Sequence, residues 1–369
     1  MQRYTIAVSL KRMDPHAGSK APLDVRRILE SCGYQTLCLL LCGKELPLRE
    51  RVSALLRNRR ALKAFLREME PGSLLFLQAP MPMYVYLGGG VAGFLRNCRK
   101  RGIRVLSLFH DIEELRGGLP ERGRPFKRMR FRLLFGLPHQ RIVKSSEACI
   151  AHNDRMQSFL EREGMPAERI VTLSLFDYLM DRDAPFLSPQ KKREVAVAGN
   201  LSPEKAGFLY RIPEKGDVRY FLFGSGYREQ AENAVYCGTV PPEELPRQLR
   251  GSFGLVWDGE DPETCAGPYG EYLRYNSPHK ASLYLAAGLP LLVWKQSALA
   301  GLVEREQVGL TVQGLSEIGP KIDALSEDKY RQMCENARRL GRKIRDGVFL
   351  RDALNRAEAV IEEANSHAV

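Results

Sequence analysis

The chain has 369 residues, 44% hydrophobic and 27% charged, which excludes a disordered chain and leaves room for two ordinary domains. Its excess positive charge lies in one half: residues 1–180 hold 31 Lys and Arg against 17 Asp and Glu, whereas the remaining 189 hold 25 against 27. The longest apolar run, Thr36–Cys42, is too short to span a membrane, no secretory signal opens the chain, and eight cysteines show neither CxxC nor zinc spacing; a cytoplasmic, reducing environment is expected.

In chain order, residues 5–10, 35–41, 73–78, 103–110, 147–153 and 169–175 read as buried strands. Helical spacing over 23–33 and 154–164 falls between them, the second opened by Asn153 or Asp154 as N-cap and closed by Gly164. Continuous apolar strands alternating with amphipathic helices predict a parallel sheet covered on both faces. Residues 181–193 (DRDAPFLSPQKKR) are polar, hold two prolines and read as a linker. The pattern then restarts, with strands at 194–202, 218–226, 234–240, 252–259, 289–294 and 308–314 and helices at 278–288, 326–347 and 349–366. The expected organisation is an acceptor-side domain over 1–180, the linker 181–193, a nucleotide-binding domain over 194–348, and a last helix, 349–369, packing back towards the first domain. Two doubly wound α/β domains would face each other across a cleft, with ligands at the carboxyl ends of the strands.

The stretch 270–294, GEYLRYNSPHKASLYLAAGLPLLVW, is the most informative. Pro278 suits the first turn of a helix, whose outward N–H groups and dipole favour a phosphate, and His279 and Lys280 add side-chain donors. The plainer alternative is an amphipathic helix with exposed His and Lys. Ala17-Gly18-Ser19 reads as a small-residue turn after the first strand where backbone amides approach phosphate or sugar, with Lys20 supplying charge. An ordinary turn with a solvated lysine fits equally well, and neither GxGxxG nor a P-loop is present.

NSPHKASLYLAAGLPLLVW followed by SALAGLVEREQVGLTV resembles the second-domain signature of a bacterial glycosyltransferase family. That family includes a streptococcal glucosyltransferase acting on serine-rich adhesins and β-1,6-galactofuranosyltransferases. Further matches are AGSKAPLDV, LFHDIEELR, IAHNDRM with LSLFDYL, AGNLSPEKAGFLY and GSFGLVWDG, in order along nearly the whole chain. The resemblance implies the GT-B fold, a UDP-sugar donor held mainly by the second domain, and a homo-oligomer. Carried over by position, it makes Asn276, His279 and Lys280 diphosphate ligands, with Ser282 and Leu283 behind them. Asn200 and Lys205 follow one strand, Tyr227 and Arg228 another where Gly224 and Gly226 admit backbone close to a nucleotide, and Asp258 ends a third. Each alone serves equally well as a helix cap; their recurrence at successive strand ends points to a nucleotide-sugar site.

Inverting transfer requires a base for the acceptor hydroxyl. Asp111 is the first candidate, with His110 and Glu113 beside it at a strand end; Arg116 as a structural partner, or His110 and Asp111 as a helix cap, are the competing roles. His152 and Asn153 are similarly placed, as acceptor or hinge contacts. The triplet Asp181-Arg182-Asp183 lies in the linker with no strand before it and reads as solvated rather than metal-binding. The resemblance to GT-B enzymes implies no metal, since in that class helix dipole and basic side chains neutralise the leaving diphosphate. Residues 122–136 (RGRPFKRMRFRLLFG) alternate cations with apolar groups and suit either an anionic membrane surface or a solvated helix with a core-facing stripe. The expected activity is hexosyl transfer, galactofuranose or glucose, from a UDP-sugar to a glycan, lipid-linked or glycoprotein acceptor in cell-surface polysaccharide or glycoprotein synthesis. The alternative is a non-catalytic glycan- or nucleotide-sugar-binding subunit. A nucleic-acid binder is disfavoured, since the cations surround no recognition helix, zinc finger or aromatic sheet.

Overall fold

The computed structural model describes residues 1–10, 17–41, 47–80, 90–116, 125–212, 217–229 and 231–366. The chain divides into two compact units: Met1–Asp14, Pro22–Leu173 and Leu350–Val369 form the first, and Pro15–Ala21 with Ser174–Phe349 the second.

The first unit is built on strands β1 (Arg3–Leu10), β2 (Gln35–Leu41), β3 (Leu74–Ala79), β4 (Arg104–Phe109), β5 (Ala148–Ala151) and β6 (Ile170–Thr172). They pair in the order β2-β1-β3-β4-β5-β6, every pairing parallel. β3 is buried at all six positions, as its unbroken apolar run requires of a sheet covered on both sides. The chain moves one way from β1 to β2 and the other way from β2 through β5, so right-handed crossovers place helix Ala17–Ser31 on one face. Helices Leu48–Glu68, Gly90–Lys100 and Leu137–Ser145 take the opposite face. Leu62 and Leu66, Phe94 and Leu95, and Ile142 and Val143 from these three helices share one core with Leu75, Leu77 and Val105.

The helix expected from Leu23 begins instead at Ala17 and carries Pro22 inside it. Proline removes one helical donor, which is why the sequence places the helix start after it, yet the flanking residues continue the turn. The expected Ala17-Gly18-Ser19 turn is therefore corrected to the first turn of this helix. The helix Val348–Ser366 buries Leu350, Ala353, Leu354, Ala357 and Ile361 at helical spacing. Glu358 on it receives the Arg3 guanidinium at 2.6 Å and the Tyr34 hydroxyl at 2.8 Å, tying this last helix to the start of β1 and the loop before β2.

The second unit repeats the plan with β7 (Glu194–Asn200), β8 (Arg219–Ser225), β9 (Ala234–Gly238), β10 (Phe253–Val256), β11 (Leu291–Trp294) and β12 (Gly309–Val312). Their order is β12-β11-β10-β7-β8-β9, again all parallel, so the winding direction reverses between β7 and β10. Helix His279–Ala287 is not amphipathic: Ala281 through Ala287 are all buried. It lies so close to β10 that a Cβ on Gly254 would stand 2.1 Å from the Tyr284 ring, whose hydroxyl accepts the Ala198 N–H of β7 at 2.7 Å. Residues 181–193 carry neither helix nor strand. Buried Arg345 holds this stretch, donating to the carbonyls of Ala184 and Ala286 and lying 3.7 Å over the Phe186 ring. Among the described residues no helix is long and apolar enough to cross a membrane.

Candidate functional site

Open parallel sheets bind ligands at the carboxyl edge where the winding reverses. In the second unit that point is the ends of β7 and β10. β10 leads into Trp257 and Asp258, and Lys280, in the first turn of helix His279–Ala287, reaches both: its Nζ donates to the Trp257 carbonyl at 3.0 Å and to Asp258 Oδ1 at 2.7 Å. The two side chains are only 14% and 9% exposed, so this ion pair is largely withdrawn from water. Burial pulls the Lys280 pKa down, and the Asp258 carboxylate opposes that shift. The helix starts after Pro278 with no side-chain hydrogen bond capping it, as an anion site requires. One turn on, the Ser282 hydroxyl is buried and has no hydrogen-bond partner; nor has the buried Asn276 Oδ1 at the approach to the helix.

The other expected ligands collect around the same edge. The Lys205 carbonyl accepts the Gly259 N–H at 2.8 Å, and its ammonium sits 5.8 Å from the Tyr269 ring and close enough to depress Lys280 further. Asn200 ends β7, and its Oδ1 accepts the Ser202 N–H at 2.9 Å, closing the turn into the next helix. Gly224 has φ +145°, and a Cβ there would fall 1.8 Å from the Gly199 carbonyl; only glycine lets β8 run against β7 at this point. Tyr227 then packs between Tyr210 and Tyr236, with ring centroids 5.6 and 5.8 Å away. His279 faces elsewhere: its Nε2 lies 3.1 Å from the Asp177 carbonyl and its ring stacks on Tyr178 at 5.0 Å. Tyr178 also carries Lys20 over its ring at 4.8 Å, and the buried Lys20 ammonium donates to the Leu179 carbonyl at 2.8 Å. Lys20 is therefore enclosed rather than solvated. The Ser19 side chain lies outside the described residues. Sequence reasoning missed Phe176, Asp177 and Tyr178 as neighbours of His279, because FDYL follows no strand or helix period; the available signal was that LSLFDYL is among the stretches matching the family.

In the first unit His110 follows β4 directly. Gln78, on β3, donates its amide to the Pro22 carbonyl at 3.4 Å and so presents Oε1 to His110 Nε2, 2.7 Å away. This orientation makes Nε2 the protonated nitrogen of a neutral imidazole. Burial pushes the His110 pKa down to about 4 and that of His152, whose Nε2 lies 2.6 Å from the Phe109 carbonyl, to about 3. Arg116 bridges the two carboxylates, 2.9 Å from Asp111 and 3.5 Å from Glu113. Burial raises the Glu113 pKa, against the pull of Arg116. Asn153 acts as an N-cap, its Oδ1 accepting from the N–H groups of Arg155 and Met156 at 3.1 Å.

These histidines set a pH dependence. Their folded pKa values lie below the ordinary value of about 6.5, so between that value and about 4 the unfolded chain binds protons that the folded one refuses. Stability should therefore fall as pH drops from 6.5 towards 4, by up to about 1.4 kcal/mol per pH unit for each histidine. Urea unfolding followed across that range tests it, and a Gln substitution at His152 should flatten the slope.

Two doubly wound domains of six parallel strands, each collecting polar side chains at its carboxyl edge, have the architecture of GT-B glycosyltransferases. The chain belongs to the glucosyltransferase 3-like family: residues 3–175 match that family's N-terminal domain and residues 195–357 its C-terminal domain. It is 33% identical over 307 residues to the β-1,6-galactofuranosyltransferase WbbI of Escherichia coli (strain K12), covering 82% of this chain and 83% of the relative. It is 29% identical over 225 residues to glucosyltransferase 3 of Streptococcus gordonii, covering 60% and 64% respectively. Among solved structures, a sucrose-phosphate synthase from Thermosynechococcus elongatus is similar with a TM-score of 0.61 at 14% identity, over 100% of this chain and 98% of that one. HepE from Anabaena, in complex with UDP-glucose, is similar with a TM-score of 0.56 at 13% identity, over 98% and 99%. These two likenesses are those of the fold.

Proposed function

We propose that the protein transfers a hexosyl unit, galactofuranose or glucose, from a UDP-sugar to a glycan or glycoconjugate acceptor, with inversion and without a metal. The observation that carries this reading is the buried Lys280–Asp258 pair at the uncapped start of helix His279–Ala287, set at the reversal point of the second sheet. Lys280 and the first N–H groups of that helix receive the diphosphate, Asp258 fixes the ammonium, and Lys205 adds a second cation as charge develops on the leaving group. Asn200, Tyr227 and Asn276 line the nucleotide side; His279 shapes the wall through Tyr178. In the first unit, Glu113 and Asp111 around Arg116 serve as the acceptor base and its partner, and neutral His110 offers a hydroxyl ligand. That UDP-glucose lies in HepE and that WbbI is named for galactofuranosyl transfer supports this choice of donors. The acceptor belongs to cell-surface polysaccharide or glycoprotein synthesis. The cationic, apolar stretch 122–136 supports a peripheral position on the inner membrane face, with Phe126, Met129 and Leu133 exposed; Arg122 and Arg124 lie outside the described residues.

The test is a thermal-shift panel followed by a transfer assay. UDP and a UDP-hexose should raise Tm while ADP and NAD leave it unchanged, since only a ligand bound to the folded state stabilises it. UDP release with a glycan acceptor should continue in EDTA. Loss of turnover in EDTA, restored by a divalent ion, would contradict the metal-free reading; equal shifts with every nucleotide would remove the donor assignment.

A further inference from the structure

The first unit carries a second apolar ridge set among cations. In helix Leu48–Glu68, Ala54, Asn58, Leu62 and Leu66 face the core, while Leu48, Val52 and Leu56 stand on another face and are exposed, Leu48 to 71%. With Arg49, Arg57 and Arg60 these three line a surface hollow of about 480 Å³. The helix segment 48–60 holds five arginines and a single acid, Glu50. An exposed ridge of three aliphatic residues one turn apart, flanked by cations, is the pattern of a helix lying in a lipid interface.

The ridge and the stretch 122–136 are carried by runs that start at the same edge of the sheet. Helix Leu48–Glu68 follows the carboxyl end of β2, and the helical run from Pro125 follows the carboxyl end of β4. Gly136 confirms the second placement, because a Cβ there would meet the carboxylate of Glu114, five residues beyond β4. Both helices cover the same face of the sheet, and β2 and β4 are three strand spacings apart, about 14 Å. Both exposed apolar sets thus sit on helical runs that leave the carboxyl edge of the same sheet.

We propose that Leu48, Val52 and Leu56 insert into the interface of an anionic bilayer, forming with Phe126, Met129 and Leu133 a single lipid-binding face. The proposal rests on the membrane reading of residues 122–136 and extends it to a second element. Charge selects the occupant. A second copy docked symmetrically would set this arginine cluster against itself, whereas anionic headgroups neutralise it. Single-stranded nucleic acid would call for stacking aromatics, and the ridge is aliphatic.

Flotation of the full chain with phosphatidylcholine vesicles, with and without phosphatidylglycerol, is the test. The protein should float only with the anionic vesicles and be released by salt. The double substitution Val52→Asp, Leu56→Asp should weaken binding about tenfold or more while Tm and the UDP shift stay unchanged, both sites being exposed. Phe126→Ser with Met129→Ser separates the two elements. If it alone abolishes flotation, the ridge has no role; if only the Asp pair does, the ridge stands and the reading of 122–136 fails. A ridge variant that floats normally, or one that only changes the sedimentation coefficient, overturns the proposal, the latter in favour of a second copy.

Discussion

Lys280→Met should remove most of the thermal shift given by UDP and at the same time lower the stability of the unliganded protein. The second effect follows from burial. Asp258 is 9% exposed, and without the ammonium 2.7 Å away its charge stays enclosed with no counterion. Breaking such a pair from one side costs about 3–5 kcal/mol, roughly 10 °C in Tm for a domain of this size. The first effect is expected because hydrogen bonds to charged groups contribute about 1.5–3 kcal/mol, so UDP affinity should fall tenfold or more. The double variant Lys280→Met, Asp258→Leu separates these effects. Replacing both charges by apolar groups should restore Tm, since buried pairs are often no better than hydrophobic substitutes, but should not restore the UDP shift. If the double variant recovers both, Lys280 is a structural residue and the diphosphate binds elsewhere.

The largest kinetic effect is expected at Glu113. Burial raises its pKa and so makes it the stronger base, whereas Asp111 lies closer to the Arg116 guanidinium, at 2.9 against 3.5 Å. Glu113→Gln should lower kcat by about 10²–10⁴ with the donor KM unchanged, and Asp111→Asn should cost less. The pH profile supplies an independent readout. A base must be deprotonated to act, so wild-type kcat/KM should rise with pH through an inflection above the usual carboxylate range, and Glu113→Gln should lack that limb. A larger loss at Asp111 with the limb intact in Glu113→Gln would return the base role to Asp111. His110 is a weak competitor as the base, because burial pushes its pKa down to about 4 and so makes its neutral imidazole a poor proton acceptor.

Ten of the twelve strands lie within the apolar runs read from the sequence, from 35–41, which matches β2 residue for residue, to 308–314, which encloses β12; β1 starts two residues before its run 5–10 and β3 ends one residue past 73–78. That legibility has a simple cause. A strand covered on both faces must be apolar throughout, and the polar turns between such runs cannot be buried, so both are written locally. The family was legible for a related reason: NSPHK and HDIE combine residue types that a fold alone does not demand. The start of the first helix was not, because Pro22 is a local stop signal that its surroundings override.

What the sequence by itself determined is therefore the two repeated α/β patterns, the strands, and the residues placed at strand ends. Only the tertiary structure decided what those residues touch: that Lys280 is paired with Asp258, that Arg116 is shared by Asp111 and Glu113, that Gln78 fixes the proton on His110, and that Lys20 lies enclosed over Tyr178. Periodicity records which face of an element is buried, a property of neighbours three or four residues apart. A charge pair between residues 22 positions apart, or an amide orienting a ring 32 positions away, arises only when strands distant in sequence are laid side by side.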